Sequence, residues 1–181
     1  VELTAIVGCE VWFMLLILRI SDLDEWKREA RRNKSLSMKE LVRRADRIEQ
    51  KLEKHMSQHS SAAKIGGDGF PDSDPNAPGN KFKRLVYCFT EIFACSALIY
   101  VHVVVSGLNW GLPEIQQAVA RSLPAFSTLP APFWFRFLAW TFCITGCLAV
   151  NSQVDTHRSF VTAAGIDELS ALGCWKAPGI M

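Results

Sequence analysis

Residues 85–105 run 21 positions with one formal charge, Glu91. A stretch this long and apolar must be hidden from water, either inside a protein core or across a bilayer. Lys81-Phe82-Lys83-Arg84 precedes it, as a cytosolic flank would. Residues 133–150 and 1–20 are weaker stretches of the same kind. Glu10, Glu91 and His102 fall within or beside these stretches. A charge at the centre of a bilayer costs about 2.5–3.5 kcal/mol or more, whereas a buried helix tolerates it at a polar margin. The residues therefore favour a protein core, with a small multi-span α-helical membrane protein as the alternative.

The rest of the chain has the opposite character. Residues 1–84 hold 16 Lys+Arg and 13 Asp+Glu, while residues 85–181 hold 4 and 5. The net charge of +2 is too small for a nucleic-acid surface. With 181 residues, 49% of them hydrophobic, the chain can bury a core as one domain, and a disordered chain, a collagen repeat and a disulfide scaffold are excluded. It starts at Val1 and stops within Gly179-Ile180-Met181, which reads as a fragment.

Helical periodicity organises what lies between. Residues 2–32 read as a long helix, apolar at Ile6, Val7, Val11, Trp12, Phe13, Met14, Leu15 and Leu18, then solvated. Ser37 and Glu40 fit a capping box, each side chain satisfying the other's backbone N–H. The helix that follows, to about residue 56, carries a single apolar stripe at Leu41, Ala45, Ile48, Leu52 and Met56. Its Arg43, Arg44, Arg47, Lys51 and Lys54 alternate with Asp46, Glu49 and Glu53, which favours a solvated face over a phosphate-binding surface. Residues 57–80, rich in Ser, Gly and Pro, read as a flexible linker or loop. Their Asp68, Asp72 and Asp74 lack the Gly and terminal Glu of a calcium loop. Further helices are expected over 81–105, from Pro113 with Ile115, Val119 and Leu123 on one face, over 133–150, 155–164 and 167–175. Pro124, Pro130 and Pro132 mark a loop. No strand alternation of useful length occurs, so the class is all-α and bundle-like, one domain over 1–181 with a long polar loop insertion.

Chemistry-bearing patterns are sparse. Cys9, Cys88, Cys95, Cys143, Cys147 and Cys174 contain no Cys-x2-Cys pair. Cys143 and Cys147 with His157, or Cys88, Cys95 and His102 at seven-residue steps, could build a soft metal site, but buried free cysteines are the better reading. His55 and His59 read as a solvated helix end rather than a metal pair. Glu91 reads as a buried carboxylate meeting a backbone or Trp N–H donor rather than as a general base. No nucleophile elbow, phosphate loop, dinucleotide fingerprint or zinc-protease motif is present. No catalytic, metal or DNA-binding residue is assigned. The aromatic face at Trp110, Phe133 and Trp134 is the candidate pocket or interface.

Three segments together carry a resemblance: Leu3-Thr4-Ala5-Ile6-Val7-Gly8-Cys9-Glu10 on to Ser21-Asp22-Leu23-Asp24-Glu25-Trp26-Lys27; Ile99-Tyr100-Val101-His102-Val103-Val104-Val105-Ser106-Gly107 with Leu112-Pro113-Glu114-Ile115; and Ala139-Trp140-Thr141-Phe142-Cys143-Ile144-Thr145-Gly146-Cys147-Leu148-Ala149 with Trp175-Lys176-Ala177. In order and spacing they resemble the C-terminal regulatory domain of fungal zinc-cluster transcription factors. Within that family they look most like the branch of sexual-development regulators and acriflavine-sensitivity control proteins. Thr141 stands where the family usually has Pro, and Pro178-Gly179 where it has a helical Leu-Glu. The resemblance implies a non-catalytic helical domain in a nuclear regulator. Its partners would be the transcription machinery or another regulatory protein, with a homodimer and a small apolar ligand as further candidates. DNA would be reached only through a module outside this chain. The family's six-cysteine zinc cluster has close Cys-x2-Cys pairs, which these six cysteines lack, so zinc is expected only in that other module.

Overall fold

The computed structural model describes residues 9–68, 78–129 and 138–163. Among them are six helices and no strand: α1 Val11–Arg32, α2 Met38–Asp68, α3 Pro78–Ser106, α4 Pro113–Phe126, α5 Ala139–Leu148 and α6 Ser152–Ala163. The apolar α3 is the axis of the arrangement, with α1, α2, α4 and α5 packed against it. Ile92, Ile99 and Val101 of α3 are fully buried. Each buried branched side chain of this kind stabilises the fold by about 1.5–3 kcal/mol. Within Phe82–Ser106 the most apolar window is 67% buried by the rest of the protein. The faces that could have met lipid are thus occupied by other helices, and the membrane reading is not favoured.

α1 and α2 form a helical hairpin. On α1 the buried residues are Phe13, Leu16, Ile20, Leu23, Lys27 and Ala30, spaced 3 and 4 apart in alternation. Of the expected apolar residues, Phe13 is buried and Trp12 and Met14 pack against the core, whereas Val11, Leu15 and Leu18 are exposed. Both sets recur at helical spacing, and only the packing partner decides which one faces inward. α2 meets α1 and α3 with Leu41, Ala45, Ile48, Leu52 and Met56, all buried as the stripe predicted. Trp12 of α1 stacks flat on His55 of α2 at 4.8 Å.

The turn between them is a Schellman closure: Ser35 N–H donates to Ala30 O at 2.9 Å and Lys34 N–H to Arg31 O at 3.1 Å. Lys34 takes the left-handed conformation at φ 53°, a position that favours glycine. Lys34→Gly should raise stability by about 0.5–1 kcal/mol; an unchanged urea midpoint would count against this. Ser37 then caps α2, its Oγ accepting from Glu40 N–H at 3.3 Å. The expected reciprocal half of the capping box is replaced. The Glu40 carboxylate instead takes Arg43 and Arg44, each with a contact at 2.8 Å, and these hydrogen bonds pull its pKa down to about 2.

The segment 57–80 is not one continuous loop. α2 runs to Asp68 and α3 starts at Pro78, leaving 69–77 outside the described residues. The Ser57 hydroxyl bonds back to Glu53 O at 2.8 Å, and Ala62 and Ala63 extend an already nucleated helix at little cost. Pro78 is tolerated in a first turn, where its missing N–H has no partner to lose. α3 ends at Gly107, in the left-handed region at φ +77°. Pro113 starts α4 as expected, with Ile115, Val119 and Leu123 buried. Pro124, expected in a loop, lies inside α4 near its end, where its missing N–H forfeits the helical bond to the Ala120 carbonyl. α5 ends at Leu148, two residues before the expected end at 150, and residues 133–137 of that expected helix lie outside the described residues; the expected 155–164 helix is α6. Residues 130–137 and 164–181, including the expected 167–175 helix, lie outside the described residues.

Candidate functional site

Of the predicted aromatic trio, only Trp110 is among the described residues; Phe133 and Trp134 lie outside them. Trp110 sits in the turn between α3 and α4 and is 65% exposed. Gln116 ties that turn down, its Nε2 donating to Trp110 O at 2.5 Å and to Leu148 O, at the end of α5, at 3.0 Å.

The other flagged residues are mostly structural. Cys9, Cys88 and Cys95 are buried, Cys143 is half-buried and Cys147 is exposed; Cys174 lies outside the described residues. The Cys88 and Cys95 thiols point at Thr128 O and Arg121 O, at 3.5 and 3.9 Å. Burial, helped by Glu10, raises the Cys9 thiol to about 11. Burial, then Glu91, raises Cys95 to about 12. Neither is a thiolate at neutral pH, so neither is a ready nucleophile. Among the described residues no three His, Cys, Asp or Glu side chains stand close enough to hold a metal ion. One Glu91 oxygen is buried without the donor expected for it. His102 lies 3.9 Å from Glu49.

The surface that does stand out is a groove of about 390 Å³ between α1 and α2. Leu23 and Ile48 are its buried floor, and Arg19, Asp22, Arg44, Arg47 and Lys51 line its rim. Helix geometry explains why the cations gather there. At roughly 100° per residue, Arg43, Arg44, Arg47, Lys51 and Lys54 share one arc of α2, while Asp46, Glu49 and Glu53 share another beyond the apolar stripe. Apart from Glu40, which lies within the cation arc and pairs with Arg43 and Arg44, the charges are thus segregated around the helix. Two of the acids are directed at other helices: Glu49 faces His102 of α3, and Glu53 binds Arg121 of α4 at 2.6 Å. Arg44 is held between Glu40 and the face of Trp26, its guanidinium carbon 4.1 Å from the ring centroid. Arg19, Arg47 and Lys51 make no ion pair among the described residues. Arg43, Arg44, Arg47, Lys51 and Lys54 are all exposed, as the solvated-face reading expects; the helical wheel adds that they share one arc.

Comparison with known proteins adds an independent line. A family model described as the fungal-specific transcription factor domain matches residues 1–173. The trichothecene biosynthesis transcription regulator TRI10 of Trichoderma arundinaceum is 37% identical over 175 residues, covering 97% of this chain and 36% of that protein. The ustiloxin B cluster transcription factor ustR of Aspergillus flavus is 36% identical over 183 residues, covering 94% and 30%. Transcription factor dibT of Pestalotiopsis microspora is 32% identical over 176 residues, covering 91% and 27%. The chain spans about a third of the length of the curated relatives it matches. No solved structure matches it.

Proposed function

Since the chain belongs to the fungal-specific transcription factor domain family, we propose that it is the helical regulatory body of a longer, nuclear transcription factor that controls a biosynthetic gene cluster. The family is one of transcription regulators, not of enzymes. The match across residues 1–173 carries the reading. The named relatives that regulate trichothecene and ustiloxin B clusters support the choice of target class.

The physical role follows from the architecture. A domain whose apolar helix is sheathed by its neighbours and whose hairpin carries a charged outer face supports a role in presenting surfaces. Its partners are the transcription machinery or another regulatory protein. DNA contact and zinc belong to a separate module of the full-length factor. Self-association and a small apolar ligand near Trp110 belong to the same reading, and sedimentation velocity and ligand-dependent thermal shift of residues 1–181 test them. Residues 1–181, fused to a heterologous DNA-binding module, should change transcription from a reporter carrying that module's site. Output equal to that of the module alone, with the fusion present at equal level in the nucleus, would sink the proposal.

A further inference from the structure

We propose that the α1–α2 groove docks an acidic, amphipathic polypeptide segment of a separate protein. The proposal rests on the regulatory reading above and names the kind of partner it would use. Four cations, Arg19, Arg44, Arg47 and Lys51, face one carboxylate, Asp22, around the groove. Three of the four have no ion partner among the described residues, so an incoming carboxylate displaces no existing pair at those positions. Arg44 is pre-positioned by Glu40 and by Trp26, which lowers the entropy lost when it engages a ligand.

The second element is apolar. Leu15 and Leu18 are 57% and 58% exposed on the turn of α1 that precedes the groove. Leu15 stands four residues before Arg19, and Leu18 four before Asp22, so apolar and charged positions run side by side along one helix edge. A helix or strand with Leu-type groups on one edge and Glu or Asp on the other satisfies both: its apolar side chains cover Leu15 and Leu18, and its carboxylates reach Arg19, Arg47 and Lys51. A phosphate backbone gains nothing from the two leucines, whereas an amphipathic peptide covers them. Charge complementarity at an exposed rim acts chiefly on encounter rate and specificity, and the apolar contact supplies the burial that lengthens the complex's lifetime.

The test uses the whole 181-residue chain. The probe is a fluorescein-labelled peptide of about 15 residues, long enough to hold a helix, with Leu on one face and Glu on the other. Fluorescence anisotropy should show saturable binding that weakens as salt is raised. Arg47→Glu with Lys51→Glu should weaken it by about tenfold or more. Leu15→Ser with Leu18→Ser should weaken it as well, whereas Arg158→Glu, a charge reversal half as large and placed on α6, should not. Unchanged affinity in the charge-reversed chain would overturn the proposal. So would tighter binding to duplex DNA than to the peptide, or a charge-reversal effect confined to self-association in sedimentation. If circular dichroism shows the charge-reversed chain unfolded, a peptide with Gln for every Glu carries the same test on an unaltered protein. Loss of peptide binding with reporter output intact removes the groove and leaves the regulatory role standing; an inert reporter fusion whose chain still binds the peptide does the reverse.

Discussion

Gly146→Val should be the most damaging single substitution in the second half of the chain. Gly146 lies in α5, and a Cβ there would come within 2.6 Å of His157 Cε1, 3.0 Å of Nε2 and 3.1 Å of Nδ1. The ring cannot step aside. His157 is 1% exposed, its Nε2 lies 3.0 Å from Phe142 O, and Phe142 packs on it with centroids 4.5 Å apart. Glycine within a helix ordinarily costs about 1 kcal/mol relative to alanine, so its use here marks a close approach rather than a propensity. Overpacking a rigid site by a branched side chain should lower stability by about 3 kcal/mol or more. In a chain of this size that is a fall of about 6–12 °C in Tm. Combining it with His157→Ala should recover part of the loss, since the obstructing ring is then gone. A urea midpoint unchanged by Gly146→Val would show that α5 and α6 do not meet in this way.

The same ring makes stability depend on pH. Burial, opposed by the bond to Phe142 O, lowers the His157 pKa from its ordinary 6.5. As pH falls through 6.5, the unfolded chain therefore takes up its proton first. The stability contributed by the neutral ring is complete above pH 6.5. It is lost below that, at no more than about 1.4 kcal/mol per pH unit, until the folded-state pKa is passed. His157→Gln should flatten this dependence between pH 7.5 and 5. Equal slopes for the variant and the parent would assign the acid sensitivity to other groups.

What could be read in advance follows from how local each interaction is. The α2 stripe, the Pro113 start and the end of the 81–105 helix are set by neighbours within a turn or two, and all three were visible in the sequence. The inward face of α1 was not, because Val11, Leu15 and Leu18 and the true core set Phe13, Leu16, Ile20 and Leu23 are both apolar at helical spacing. α3 and α2 choose between them, and those contacts are remote in sequence. The 57–80 segment misled because Ser and Gly weaken a helix without ending one that is already propagating. The basic groove was concealed by reading charges along a line: Glu49 and Glu53 fall between cations in sequence, yet they turn to His102 and Arg121. Gly146 gave a local signal, a glycine inside an apolar helix, but its cause lies 11 residues on, at His157.

Lys27 occupies a core position of α1, where the spacing of its neighbours calls for an apolar side chain, and it is 7% exposed. Its ammonium donates to Val104 O and also reaches Val105 O at 3.5 Å. These are among the last carbonyls of α3, which have no partner within the helix. Gly107 N–H takes the preceding Val103 O at 2.8 Å, so the lysine completes the closure of the helix end. Burial, with Arg31 adding to it and Asp24 opposing, lowers its pKa, the cost of placing a cation among apolar neighbours. Lys27→Ala should lower stability by about 2–4 kcal/mol, through the void left by the stem and the buried carbonyls left without a donor. Lys27→Met separates the two effects: it refills most of the volume but supplies no donor, and should still lose about 1–3 kcal/mol. A Met variant as stable as the parent would show that the lysine only fills space. Equal losses in Met and Ala would show that the donor alone counts. Because Lys27 binds α1 to the end of α3, and α1 carries Arg19 and Leu23 of the groove, a Met variant that remains folded should also bind the acidic peptide more weakly than the parent.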